Sequence, residues 1–239
     1  MTANPSHRFL LAVDDGGEFF VAAGSEFTIG HLRSPSADLP FLADVEADHA
    51  RLAIADSFHS GPRWTLAARP GANVLLSGGA LAGDPVLLSH GDVVELAPNL
   101  AFRFRCPDPA SSSAVLDLTS NADLQGARHV LLLAPGKAGL VRIGSRRDRH
   151  VPVPDLSADI ALEFVEEGSS SLVVRCPGGV RVQGGVSPAG PDPALSLPLP
   201  PPRSISLTLG ARAAGRPPFG ITVWPVRMLS SGSARSRPA

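Results

Sequence analysis

The chain has 239 residues, enough for two domains of roughly 100 to 150 residues each. Hydrophobic residues make up 44% and charged residues 18%, which fits a chain that buries a core and excludes a disordered polyelectrolyte. A formal net charge of −1 argues against general binding to nucleic acid or to anionic membrane, which needs a basic face.

The N-terminal apolar run Phe9 to Val13 is short for a signal peptide and stops at Asp14 and Asp15. No stretch is apolar for long enough to span a bilayer. Two cysteines, Cys106 and Cys176, do not make a disulfide framework. A cytoplasmic protein with reduced thiols is expected.

Phe9 to Val13 and Glu18 to Ala22 read as a hairpin around Asp15-Gly16-Gly17. Glu26 to Ile29 starts a further strand, and Gly30 stands where the backbone bends or is approached closely. Arg51 to Ala55 alternates, with Leu52 and Ile54 on one face. Trp64 to Leu66 is a short strand before the turn Arg69-Pro70-Gly71-Ala72. Asn73 to Gly79, Val86 to Leu88 and Val93 to Leu96 follow, the last fed by a Gly91-Asp92 turn. Ala101 to Cys106 alternates cleanly, with Phe102, Phe104 and Cys106 on one side and Arg103 and Arg105 on the other. That is the pattern of a half-buried antiparallel strand. Pro107 to Ser113 is rich in Pro, Ser and Ala and reads as a connector. The expected division is a first domain at 7–107, a linker at 108–113 and a second domain at 114–228.

In the second half, Val130 to Leu133 matches the first strand of the first half, and Pro135-Gly136-Lys137 matches its turn. Leu162 to Val165 and Leu172 to Cys176 form a hairpin, and Val180 to Gly185 echoes Leu75 to Gly79. Prolines between Pro188 and Pro202 bar that stretch from a central strand. Ser204 to Leu209 alternates with Ile205, Leu207 and Leu209 inward, and Phe219 to Val226 is the last strand. Residues 229–239 read as a disordered, mildly basic tail. Thr119 to Ala127 holds either a short helix or a connector. Apolar residues nowhere keep a helical period over three turns, so the architecture is all-β.

The two halves echo one another. Ile29-Gly30 returns as Ile143-Gly144, 114 positions on, and Asp44-Val45-Glu46-Ala47-Asp48 returns as Asp155-Leu156-Ser157-Ala158-Asp159, 111 positions on. The Ile-Gly pair, a short loop and a downstream segment ending at His49-Ala50 before a strand resemble the forkhead-associated (FHA) domain. Leu88-Ser89-His90-Gly91-Asp92-Val93-Val94 adds a further FHA-like feature. The resemblance implies two tandem FHA-like antiparallel β-sandwiches of about eleven strands each, which bind phosphothreonine peptides. In such domains an Arg follows the Ile-Gly pair, the Ser of a Ser-x-x-His segment donates to the phosphate, and a later Asn holds the peptide backbone. The chemistry is charge-assisted hydrogen bonding to a dianion.

Matched to that pattern, the first repeat is degenerate. His31 stands at the Arg position with Arg33 close behind, and Glu46 stands at the Ser position. A carboxylate a few ångströms from a phosphate costs roughly 1 to 4 kcal/mol per charge pair. Pro70 or Ala72 replaces the Asn, while His49 matches the family's His, which braces the loops. The second repeat keeps more. Ser157 matches the phosphate-binding Ser, and Ser145 fills the Arg position with Arg146, Arg147 and Arg149 following at once. Such guanidinium groups suit an oxyanion. The same arginines also read as a solvated turn paired with Asp148 and Asp155. Ile160 replaces the His, and no Asn lies near Pro177-Gly178-Gly179.

The expected phosphopeptide-binding residues are therefore Ser145, Arg146, Arg147 and Ser157. The remaining candidates are weaker. His31, Asp48 and His49 lack metal-ligand spacing. Ser89-His90-Gly91-Asp92 is adjacent in sequence, which is not how triads are assembled. The Gly-Gly pairs at 78–79, 178–179 and 184–185 lack the following helix of a phosphate-binding loop. No catalytic residue, metal or cofactor is expected. The expected function is a non-catalytic module that binds a protein or phosphopeptide partner, the latter through the second domain. The alternatives are a phosphate-independent scaffold, or an enzyme or ligand carrier with a site between the repeats. A second half of unrelated β-sandwich type is the remaining reading.

Overall fold

The computed structural model describes residues 7–55, 63–166, 169–183, 194–210 and 218–226. The expected tail at 229–239, the Gly184-Gly185 turn and the first part of the Pro188–Pro202 stretch lie outside the described residues.

Strands follow one another through the described residues. The first half holds β1 (His7–Val13), β2 (Gly17–Ala23), β3 (Glu26–His31), β4 (Leu39–Phe41), β5 (Ala50–Ala55) and β6 (Arg63–Ala68). It continues with β7 (Leu75–Leu76), β8 (Gly79–Ala80), β9 (Val86–Leu87), β10 (Val93–Ala97) and β11 (Leu100–Arg105). The second half holds β12 (Ala114–Leu118), β13 (His129–Leu133), β14 (Val141–Gly144), β15 (Val151–Pro152) and β16 (Ile160–Val165). β17 (Ser171–Arg175), β18 (Val180–Val182), β19 (Ala194–Pro198), β20 (Ile205–Leu209) and β21 (Phe219–Pro225) complete it. One 3-10 turn spans Lys137–Gly139. The fold is all-β, as the period-2 patterns indicate. The Thr119–Ala127 stretch is a turn-rich connector in which Leu124 and Ala127 form an isolated bridge.

Three sheets result. The large one has eleven strands in the order β18-β20-β21-β1-β2-β13-β12-β11-β10-β7-β8. The two smaller ones have five strands each, β4-β3-β5-β6-β9 and β15-β14-β16-β17-β19. Each small sheet shares a core with the large one. Phe27, Ile29, Leu39, Phe41, Leu52 and Leu66 pack with Val94, Phe102, Phe104, Leu116 and Leu132. Val141, Ile143, Ile160, Leu162, Phe164 and Leu172 pack with Phe9, Leu11, Val21, Leu207 and Ile221. Each such fully buried side chain contributes about 1.5 to 3 kcal/mol.

The two cores lie on opposite faces of the large sheet. Alternate residues of one strand point to opposite faces, and β13 sends Leu131 and Leu133 to one core and Val130 and Leu132 to the other. β1 does the same with Phe9 and Leu11 against Leu10. The centre of the sheet is therefore buried on both sides. That is why Phe19 to Ala23 and Val130 to Leu133 are continuous apolar runs and do not alternate.

Pairing does not follow the expected domain spans. The β1–β2 hairpin, assigned to 7–107, extends the sheet of the second half, with β1 antiparallel to β21. The β12–β13 hairpin, assigned to 114–228, extends the sheet of the first half, with β12 antiparallel to β11. The two hairpins meet in the parallel pair β2–β13, where Val21 opposes Leu131. Val130 to Leu133 is thus the second strand of its hairpin and the counterpart of β2, not of β1. Strands β3–β13 form one contiguous unit, and the N-terminal hairpin completes the sheet of the other.

The expected linker is buried. Asp108, Ser111, Ser112 and Ser113 are all nearly inaccessible. The Ser113 hydroxyl donates to the Gly139 carbonyl at 2.6 Å and accepts the Ala134 N–H at 2.9 Å. The Ser111 hydroxyl donates to the Leu140 carbonyl at 2.6 Å. Asp108 pairs with Arg142 at 3.1 Å. Small hydroxyl residues are there because they satisfy buried backbone groups, which are costly to leave unpaired. The described end of the proline-rich stretch forms β19, an edge strand against β17, where Pro198 is tolerated.

Candidate functional site

In each half the Ile-Gly pair ends a strand beside a second loop. Gly30 is held so close to that loop that a Cβ would lie 1.7 Å from the Ala47 carbonyl oxygen. At Gly144 a Cβ would lie 2.1 Å from the Asp159 carboxylate. Glycine is required at both positions by close approach. The recurrence of the Ile-Gly motif with the downstream acidic segment therefore has one geometric cause.

The first loop pair is stitched through its backbone. The His31 N–H donates to the Glu46 carbonyl at 2.9 Å, and the His49 N–H donates to the Ile29 carbonyl at 2.8 Å. The Glu46 N–H donates to His49 Nδ1 at 3.2 Å, and the Arg33 N–H donates to His31 Nδ1 at 3.1 Å. His49 is buried, and through its hydrogen bonds to Ile29 and Glu46 it links the two loops. Arg33 is exposed, but so are Asp44, Glu46 and Asp48. Ser36 donates to Asp48 at 2.6 Å. The structure thus brings His31, Glu46 and His49 together and surrounds them with carboxylates, so a phosphate would meet more like charge than opposite charge.

The second loop pair is held by an ion-pair clamp. Arg149 is buried, and its guanidinium reaches Asp159 at 2.7 Å and Asp148 at 3.2 Å. The hydrogen bond to Asp159 raises the guanidinium pKa further. Arg146 pairs with Asp148 at 2.8 Å. Arg146 and Arg149 are therefore paired, with Asp159 in the place expected of Asp155. Ser145, Arg147 and Ser157 are exposed on this surface. Arg147 makes no hydrogen bond or ion pair among the described residues. Among the described residues no three His, Cys, Asp or Glu side chains are grouped to hold a metal ion.

Behind the second loop pair lies His150, fully buried and not singled out by any sequence pattern. Its Nδ1 accepts the Arg142 N–H at 3.2 Å, and its Nε2 lies 3.1 Å from the Ser113 carbonyl oxygen. Those partners require a neutral ring with the proton on Nε2. Burial lowers its pKa to about 4, against the hydrogen bond to Ser113, which raises it. In the first half Asp38 does the same backbone task, accepting the Thr28 N–H at 2.8 Å. Thr28 precedes Ile29 as Arg142 precedes Ile143, so two different side chains satisfy equivalent strand positions. The acceptor role is shared while the residue type is not, and sequence matching alone passes over it.

No helix among the described residues is long and apolar enough to cross a membrane. Compared with family models, with curated proteins and with solved structures, the chain shows no match.

Proposed function

We propose that the protein is a non-catalytic protein-interaction module of FHA-like construction, working in the cytoplasm, whose paired loops bind a partner without requiring phosphate. The observation that carries this reading is the internal neutralisation of the arginines: Asp148 and Asp159 already occupy Arg146 and Arg149. A phosphate would have to compete with these carboxylates, above all at Arg149, whose side chain is buried while Asp148 and Asp159 stay partly exposed. Eleven strands in two facing sheets, β3–β13, support the FHA-like part of the reading. Loops on a rigid β scaffold are where such modules make contact.

A narrower reading keeps phosphothreonine recognition at the second loop pair, favoured by exposed Ser145, Arg147 and Ser157. A pull-down with wild type and with Ser157→Ala, each with and without phosphatase treatment of the lysate, separates the two. Retention of the same partner in all four arms is expected. Loss of the partner on phosphatase treatment or in Ser157→Ala would overturn phosphate independence in favour of the narrower reading. Titration of phosphothreonine and matched threonine peptides gives the same discrimination without a lysate.

A further inference from the structure

We propose that an apolar groove beside β4 docks an extended peptide segment that combines a large apolar side chain with a nearby Lys or Arg. The inference deepens the interaction-module reading and rests on it. The groove has a volume of about 650 Å³. One wall is a cross-strand row on the large sheet, in which Phe20 opposes Leu10 and Leu10 opposes Trp224. The facing wall carries Leu32 and Leu42, on either side of β4. The β12–β13 connector closes one end and brings Asp123.

Leu42 is 75% exposed on the groove's rim. The other exposed large apolar side chains among the described residues, Val86 and Leu87, are less exposed than Leu42 and lie on the edge strand β9. An apolar rim open to solvent suits a chain segment laid across it better than a small molecule, which needs enclosure. Charge then selects the segment. Asp123 is the one acidic residue among the described lining residues, and its Oδ1 accepts the Gly126 N–H at 2.8 Å, leaving Oδ2 for an incoming donor. Trp224 is half-buried, and its ring suits a cation. No Lys or Arg is among the described lining residues, so the groove matches a basic segment better than an acidic or phosphorylated one.

The test is a display selection of random linear peptides against the full chain, with affinities read from tryptophan emission. Trp64 is 3% exposed, so a ligand-dependent change reports Trp224, and Trp224→Phe removes it. Enriched peptides are expected to pair an apolar residue with Lys or Arg. Leu42→Ser, at a position whose exposure spares the fold, should weaken them by roughly tenfold or more. Asp123→Lys should turn the preference towards acidic peptides. Failure to enrich any peptide, enrichment without a basic residue, or binding unchanged by Leu42→Ser overturns the proposal. So does self-association of the chain that Leu42→Ser abolishes, since a second copy would then be the occupant. A partner retained in the pull-down while the peptides fail sinks the groove alone; peptides that bind while the pull-down becomes phosphatase-sensitive sink the loop reading alone.

Discussion

Trp64 donates its indole N–H to the Ser112 carbonyl at 2.7 Å, tying a strand of one small sheet to the buried segment between β11 and β12. The same indole stacks on Phe27, with ring centroids 5.8 Å apart. Trp64→Phe keeps an aromatic ring against Phe27 and removes the donor. The Ser112 carbonyl is then left without it inside the protein, which costs about 1 to 3 kcal/mol. The urea midpoint should fall by that free energy divided by an unchanged m-value. A shift below about 0.5 kcal/mol would mean that the bond does not tie the buried segment to the sheet.

His150 makes stability depend on acid. An unfolded histidine takes up its proton near pH 6.5, the folded one near pH 4. Between those values the unfolded state holds more protons, so lowering the pH favours unfolding. The contribution is complete above pH 6.5, is lost as pH falls towards 4, and amounts to about 3 kcal/mol. Asp117 acts in a lower window. Burial alone would raise its carboxyl, but hydrogen bonds from His129 and Arg105 outweigh that and hold it at about 2, below the ordinary 3.8. Its contribution is lost only as pH falls from 3.8 towards 2. His150→Asn keeps an acceptor for the Arg142 N–H and removes the titration. Urea unfolding across the upper window should then slope less steeply in the variant than in the wild type, the remaining slope coming from His7, whose imidazole burial also holds below its ordinary value.

How much of this was legible in the sequence depends on what each pattern encodes. Alternation in Ala101 to Cys106 and in Ser204 to Leu209 encodes one buried face, and both stretches are strands with that face inward. Continuous runs such as Phe19 to Ala23 encode burial on both faces but not which strand lies alongside, so the exchange of hairpins was not readable. Pro107 to Ser113 reads as a connector because its composition does not distinguish hydroxyls facing water from hydroxyls closing buried backbone groups. Within Arg146-Arg147-Asp148-Arg149, spacing does not reveal that Arg149 turns inward to Asp159. Of the solvated-turn alternative, the pairing with Asp148 is present, while Arg149 is buried against Asp159 and Arg147 makes no ion pair among the described residues.

Gly30 and Gly144 should respond unequally to the same substitution. In Gly30→Ala the new methyl meets the Ala47 backbone carbonyl at 1.7 Å, which moves only if the loop moves. In Gly144→Ala it meets the Asp159 carboxylate at 2.1 Å, the end of a side chain. Asp159 is held by Arg149, so its displacement also costs an ion pair. Gly30→Ala should destabilise by about 3 kcal/mol and Gly144→Ala by about 1 to 2 kcal/mol. Equal midpoints for the two variants in urea would contradict the difference between a backbone and a side-chain obstacle.

Fragment stability tests the exchanged hairpins directly. A fragment of residues 24–133 contains every strand from β3 to β13, including the β12–β13 hairpin, and all the buried first core except Leu10, Phe20 and Ala22 of β1 and β2. A fragment of residues 7–107 has the same number of strands, β1 to β11, but β1 lacks β21 and β11 lacks β12. Its core also lacks Leu116, Val130 and Leu132, each worth about 1.5 to 3 kcal/mol of burial. The cut at 24–133 exposes Val115, Leu131 and Leu133, which face the second core in the whole chain. Left apolar, that face and the freed β13 edge would drive association. With Val115→Thr, Leu131→Thr and Leu133→Lys, the 24–133 fragment should unfold cooperatively in urea as a monomer, while 7–107 should show no cooperative transition. A cooperative 7–107 fragment beside an unfolded 24–133 fragment would reassign the hairpins to their neighbours in sequence.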